Sequence, residues 1–138
     1  MKKSIVLTIS KFYIGFCFFS LLYLSVISMI SPQNTMDLVN VSLDNNDAIS
    51  SIRGVFGGVG ITISASILLL FLKKRYFDVL LFLSMFWGLY TVSRLITILV
   101  DGKLGDFGNQ WIMIESILSI CGLALLILSS NKEKKEAI

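Results

Sequence analysis

Residues 49–72 have the sequence ISSIRGVFGGVGITISASILLLFL. This long, mostly apolar run decides the fold class, and Arg53 is its single charged residue. An α-helix rises about 1.5 Å per residue, so a run of this length can cross the roughly 30 Å hydrocarbon core of a bilayer. The run is too long for a β-strand, and it lacks the alternation of a barrel strand. It therefore predicts a transmembrane helix.

The composition of the whole chain is also strongly apolar. Of its 138 residues, 55% are hydrophobic and 15% are charged, which leaves too little polar surface for a soluble domain. The mean hydropathy is +0.83. Short polar segments separate four apolar runs, so neighbouring helices should run in opposite directions. We predict a single all-α membrane domain over residues 1–138, a polytopic antiparallel four-helix transmembrane bundle with helices at about 12–30, 49–72, 77–100 and 111–128.

The basic residues outside these runs predict the orientation. They fall on one side of the membrane: Lys2, Lys3, Lys11, Lys73, Lys74, Arg75, Lys132, Lys134 and Lys135. The other side has Lys103 and a set of acidic residues, namely Asp37, Asp44, Asp47, Asp101 and Asp106. Because cytoplasmic loops carry the excess of Lys and Arg, both termini are predicted to be cytoplasmic. The first run is longer than the apolar part of a signal peptide, so we expect an uncleaved anchor.

Three charged side chains lie inside the runs. Arg53, Arg94 and Glu115 would each cost about 2.5–3.5 kcal/mol at a helix centre, and less near an end. Counting from the run ends places all three roughly 6–9 Å below the outer edge, in one layer. We expect an ion pair between Arg94 and Glu115, with Arg53 close by. Tyr90 and Asp101 share the helical face of Arg94, which predicts an outward-facing polar pocket.

Glycines mark the second run as a packing surface. Gly54 and Gly58 form a GxxxG pattern, with Gly57 between them, and small residues at this spacing let helix backbones approach closely in lipid. Helix packing is the first interpretation of these three glycines. The second is that they leave room for a ligand beside Arg53, and the two are compatible.

Several residue types are missing or isolated. The chain has no His, and Cys17 and Cys121 stand alone in apolar runs. No metal-ligand spacing is present, so we predict neither a metal nor a cofactor, and we assign no catalytic residue. The basic residues mark membrane edges instead of forming a patch, which argues against a nucleic-acid partner.

The residues that stand out also occur together in a known family. Residues 52–58, followed by Arg94, then Asp101 and Gly102, then Glu115, resemble a group of small bacterial membrane proteins catalogued as domain of unknown function 4345. The resemblance implies four transmembrane helices and a bacterial inner-membrane location, and it implies no activity. Phe56 stands where the family more often has Tyr, which weakens any role for a hydroxyl group there.

These patterns favour a binding or scaffold protein. Its pocket would hold a small anionic or polar ligand, such as a lipid headgroup, or the bundle would dock onto a membrane partner or a second copy within the bilayer. The alternatives are a membrane enzyme acting on a lipid or quinone, with Glu115 as acid or base, and a transporter subunit. The lack of His and of an activated nucleophile argues against the enzyme.

Overall fold

A computed structural model of the chain describes residues 3–136, and the side chains of residues 4–129. The described residues form helices and connecting turns, without a β-strand, so the predicted all-α class is confirmed. The elements in chain order are α1 (Lys3–Ile30), α2 (Pro32–Asp37), α3 (Asn46–Ile52), a π-helical segment (Arg53–Val59), α4 (Gly60–Leu72), α5 (Tyr76–Val100) and α6 (Asp106–Glu136).

Four helical stretches are long and apolar enough to cross a membrane. They are Ser4–Ile30, Asn46–Leu72, Tyr76–Val100 and Asp106–Ser129, with mean hydropathies of 2.0, 2.3, 1.7 and 2.3. Large apolar side chains are exposed along all four, as expected for helices whose surroundings are lipid. The chain is therefore a membrane protein with four spanning helices, while the antiparallel bundle stays a prediction.

The first helix begins well before the predicted start near residue 12. Residues 4–10 are mostly apolar and continue the helix from Lys3, so Lys11 lies inside the candidate span and not ahead of it. The side chain of Lys11 is exposed. A basic side chain in this position must reach the polar edge of the membrane by extending along the helix.

The helices divide into two compact units. The first unit comprises Met1–Ile14 and Lys74–Ile138, and the second comprises Gly15–Lys73. In the first unit α5 and α6 pack together, and the side chains of Val79, Leu80 and Leu83 are almost fully buried. In the second unit the buried side chains include Cys17, Ser25 and Ile67.

Small residues let helices approach closely in the first unit. The Tyr13 hydroxyl donates to the carbonyl oxygen of Leu118 at 2.9 Å, which ties α1 to α6. A Cβ atom on Gly122 would lie 2.6 Å from Ser84 Oγ and 2.7 Å from Tyr13 Oη. A larger residue at position 122 would have to displace the Ser84 or Tyr13 hydroxyl, so glycine favours the close approach of three helices here.

The second unit contains a feature that the sequence analysis missed. Between α3 and α4 the helix takes π geometry over Arg53–Val59, so one long helical span contains a wider central segment. Glycines at 54, 57 and 58 remove side-chain crowding there and make such irregular geometry less costly. Segments of this kind often occur at functional sites.

The close helix contact in this unit lies at Gly57 and Gly60. A Cβ atom on Gly57 would lie 2.9 Å from Met29 Cα, and one on Gly60 would overlap Ser25 Oγ. Among the described residues nothing comes within 4 Å of such an atom on Gly54, and on Gly58 it would only just reach the Met29 methyl group, at 4.0 Å. Among the described residues the predicted Gly54–Gly58 pair thus makes no close contact, and the face that meets α1 is that of Gly57 and Gly60.

This difference gives a matched pair of variants. We expect Gly57→Ala to lower the free energy of unfolding by about 1–3 kcal/mol, because the new methyl group would meet backbone atoms of Met29. Gly54→Ala should be neutral or stabilise by up to about 1 kcal/mol, since alanine favours helix and meets no neighbour. Thermal unfolding in detergent would measure both, and an equal loss from both variants would contradict the packing described here.

Candidate functional site

A charged pair joins the two long helices of the first unit. Arg94 on α5 donates from Nε to Glu115 Oε2 at 2.6 Å and from Nη2 to Glu115 Oε1 at 2.8 Å. The guanidinium and carboxylate groups therefore meet as a two-pronged fork, the strongest geometry for these groups. The Glu115 side chain is 2% exposed and that of Arg94 is 18% exposed, so the carboxylate is enclosed while the guanidinium retains some access.

Helical periodicity aligns polar side chains next to this pair. Ser116 Oγ lies 3.5 Å from Thr91 Oγ1, one turn away from the pair, and Ser119 Oγ donates to the carbonyl oxygen of Ser84 at 3.1 Å. From Ser84 to Arg94 along α5, the contacted residue of α6 changes from Ser119 to Glu115. We call this row the α5–α6 polar seam, formed by Ser84, Thr91, Arg94, Glu115, Ser116 and Ser119. The seam ends at the fork, about 9 Å before the last residue of α5.

An aromatic ring covers the guanidinium group. Arg94 Cζ lies 5.9 Å from the centroid of the Phe107 ring, within the range of a cation–π contact. The Phe107 ring in turn lies 5.7 Å from that of Trp111. The sequence analysis did not include Phe107 in the site. Its spacing from Glu115, close to two helical turns on one face, is the signal that could have identified it.

Two further aromatic residues line α5 near the pair. Tyr90, a predicted site residue, is partly exposed and lies within electrostatic range of both Arg94 and Glu115. Its ring centroid is 6.3 Å from that of Trp87. Trp87 is 6% exposed, and its Nε1–H group has no hydrogen-bond partner among the described residues. An unpaired buried donor of this kind costs about 1–3 kcal/mol.

Asp101 is not brought to the pair. It ends α5, its side chain is exposed, and its backbone N–H donates to the carbonyl oxygen of Thr97 at 2.8 Å. Among the described residues it makes no hydrogen bond or ion pair with Arg94 or Glu115. The neighbouring Gly102 has a φ of 104°, a conformation that favours glycine, so this part of the chain forms the turn toward α6.

Arg53 has a structural partner in the second unit. Its Nε donates to the carbonyl oxygen of Met29 at 2.9 Å, in the last turn of α1. Carbonyl groups at a helix C-terminus lack amide donors, and Pro32, just beyond, supplies no N–H. The cation also suits the negative end of the helix dipole. Arg53 thus caps α1, and its predicted position beside Arg94 and Glu115 stays a prediction.

Outside the fork, the acidic and cysteine side chains that the structure describes do not gather into a cluster. In the part of the chain that the structure describes, no three His, Cys, Asp or Glu side chains lie together as a metal site would require. Outside the spans, Arg75 donates to the Asp78 carboxylate at 2.7 Å, and this bond raises the pKa of the guanidinium above its ordinary value. Both side chains are exposed, so water screens the pair and it contributes little to the free energy of unfolding.

Comparison with known proteins identifies the family. The chain matches the family described as Domain of unknown function (DUF4345) over residues 9–126. It belongs to that family. The match includes residues from all four spans and contains both Arg94 and Glu115, so the resemblance seen in the sequence is confirmed. No curated protein and no solved structure matches the chain. Membership in the DUF4345 family brings no assigned activity.

A double-mutant cycle would measure the charged pair in this DUF4345 protein. We expect Arg94→Gln and Glu115→Gln each to lower the unfolding midpoint, since each leaves the other charge without its partner in a low-dielectric environment. The double variant should recover part of the loss, giving a coupling energy of about 1–3 kcal/mol from denaturation in detergent.

The exposed pair of Arg75 and Asp78 supplies the control for that cycle. The same cycle with Arg75→Gln and Asp78→Asn should give a coupling too small to resolve, because water screens both groups. Equal coupling in the two cycles would show that enclosure between α5 and α6 does not strengthen the fork.

Proposed function

We propose that this protein is a membrane-embedded binding or scaffold protein whose ligand site is the guanidinium end of the α5–α6 polar seam. The observation that carries the proposal is the fork between Arg94 and Glu115, with the carboxylate enclosed and the guanidinium partly accessible. A charge pair inside an apolar span is expensive, and such pairs mark binding or transport sites in membrane proteins.

Unused hydrogen-bond donors determine the ligand class. A guanidinium group carries five N–H donors, and Glu115 occupies one on Nε and one on Nη2 of Arg94. The remaining donors favour a ligand rich in acceptor oxygens. A carboxylate or a phosphate headgroup has that chemistry, and a polar segment of a membrane partner or of a second copy of this chain would present it as well.

An enzyme acting on a lipid or quinone is the second candidate. It would need Glu115 to exchange a proton with a substrate. Both carboxylate oxygens already accept hydrogen bonds from Arg94, which suits a fixed anion better than a mobile acid or base. A transporter subunit would have to act as an oligomer, because no inverted repeat is evident in the sequence.

The proposed location is the bacterial inner membrane, with both termini in the cytoplasm. The basic turn of Lys73, Lys74 and Arg75 supports this orientation, since the turn between α5 and α6 carries only Lys103. Of the other basic residues behind the prediction, Lys11 is described, and the rest lie outside the described part: Lys2 entirely, and Lys3, Lys132, Lys134 and Lys135 in their side chains.

Native mass spectrometry of the detergent-solubilised protein tests the binding proposal. We expect a small polar molecule to co-purify with the wild-type chain and to be lost from Arg94→Lys, which keeps a cation opposite Glu115 but removes the guanidinium donors that Glu115 leaves unused. Because the ion pair is kept, this variant should lose less thermal stability than Arg94→Gln. Arg75→Lys is the control and should retain the molecule. Equal retention in both variants would contradict a role for the Arg94 donors.

Cysteine labelling tests the orientation. In a background without Cys17 and Cys121, we expect Asn45→Cys and Leu104→Cys to react in intact cells with a thiol reagent that does not cross the membrane. Lys74→Cys should react only after the membrane is opened. The reverse pattern would overturn the proposed orientation.

A further inference from the structure

Lys11 is an unusual cation because it lies inside a candidate membrane span. It is in α1, on the exposed surface of the helix, and apolar residues both precede and follow it. Its Nζ atom lies 5.4 Å from the centroid of the Tyr76 ring, at the first residue of α5. The ammonium group therefore extends along the helix toward the membrane edge at which α5 begins.

That end also carries a basic turn. Lys74 and Arg75 directly precede Tyr76, and both side chains are exposed. Consecutive Cα atoms are about 3.8 Å apart, so Lys74 begins within about 8 Å of the residue over which the Lys11 ammonium lies. Three cations in the first unit thus gather at one edge of its helices.

Among the described residues, a carboxylate pairs with only one of these cations. Arg75 is paired with Asp78 at 2.7 Å. Within that part of the chain, neither Lys11 nor Lys74 has a carboxylate group within ion-pair distance. Both lysine charges can therefore take a counter-charge from the membrane, and the phosphate of a lipid headgroup lies at that depth.

The apolar surroundings of Lys11 match a lipid and not a free anion. Phe12, next to Lys11, is 77% exposed, and Leu7, one turn earlier, is exposed as well. Phe77, next to Tyr76, is also exposed. A ligand that joins Lys11 and Lys74 would place its charged group over Tyr76 and its apolar part against these side chains. A phospholipid has this division, and inorganic phosphate does not.

We propose that Lys11, Lys74 and Tyr76 form a binding site for the headgroup of an anionic phospholipid in the leaflet that faces the Lys73–Arg75 turn. The site lies at the opposite end of α5 from the Arg94–Glu115 fork, and it does not depend on the function proposed for that fork.

Lys74 offers a variant that separates lipid binding from folding. It is one of two non-glycine residues with positive φ, at 59°, among those described, and glycine adopts this conformation without the penalty of a Cβ atom. Lys74→Gly therefore removes a charge while relieving the backbone. We expect its thermal stability in zwitterionic detergent to be unchanged or higher and its affinity for anionic lipid to be lower.

The test is titration of the full chain, held in zwitterionic detergent, with phosphatidylglycerol, following lipid adducts by native mass spectrometry. Each lysine near a membrane surface contributes an attraction equivalent to about fivefold in affinity, so Lys11→Gln and Lys74→Gly should each weaken binding by about that factor. Lys103→Gln removes a lysine at the other end of α5 and should leave the affinity unchanged. Phosphatidylcholine should bind equally weakly to all four proteins.

Each of the other outcomes would overturn the proposal. Equal losses in Lys11→Gln and Lys103→Gln would show attraction by net charge without a site. No loss in Lys11→Gln would remove that residue from the site. Competition by inorganic phosphate at concentrations similar to that of the lipid would identify a free-anion site.

If Lys11→Gln fails to fold, Lys11→Arg replaces it. Binding that remains at the wild-type level in Lys11→Arg supports the need for a positive charge, whereas lost binding contradicts it.

Discussion

The enclosed fork of Arg94 and Glu115 is the constraint on which the first unit depends. Either charge would be costly in an apolar span without the other, so the pair favours the register of α5 and α6 that joins them. That register also sets Ser119 against the Ser84 carbonyl and Gly122 against the Ser84 hydroxyl. A shift of one residue in the α5–α6 register would break all three contacts. The ion pair therefore helps to fix how these two largely apolar helices pair.

Hydropathy and charge alone were enough to predict the four spans and the partnership of Arg94 with Glu115. Both follow from the cost of placing charge in hydrocarbon, which depends on residue type and depth and not on detailed geometry. The predicted neighbourhood of Arg53 and the packing role of Gly54 rested on ideal helical periodicity. The π-helical segment breaks that periodicity, and Arg53 finds a carbonyl acceptor at the end of α1. No sequence pattern signalled either feature. The unpaired donor of Trp87 likewise depends on three-dimensional packing.

The first unit has different chemistry at its two ends. At one end a guanidinium group, an enclosed carboxylate and aromatic rings form a partly accessible polar site. At the other, lysines that have no carboxylate partner in the described part of the chain lie at the membrane edge beside exposed apolar side chains. Separating the two kinds of charge along α5 lets one end satisfy its charges internally, while the other depends on the composition of the surrounding leaflet.

The Trp87 indole, whose N–H group has no acceptor among the described residues, also makes the protein its own optical probe. The chain has 2 tryptophans, so removing Trp111 leaves a single emitter within the packed helices. An indole N–H without an acceptor emits at shorter wavelength than one that donates to an oxygen. The colour of that emission would therefore follow the arrival of an acceptor at Trp87 directly, in any bilayer and without an attached dye.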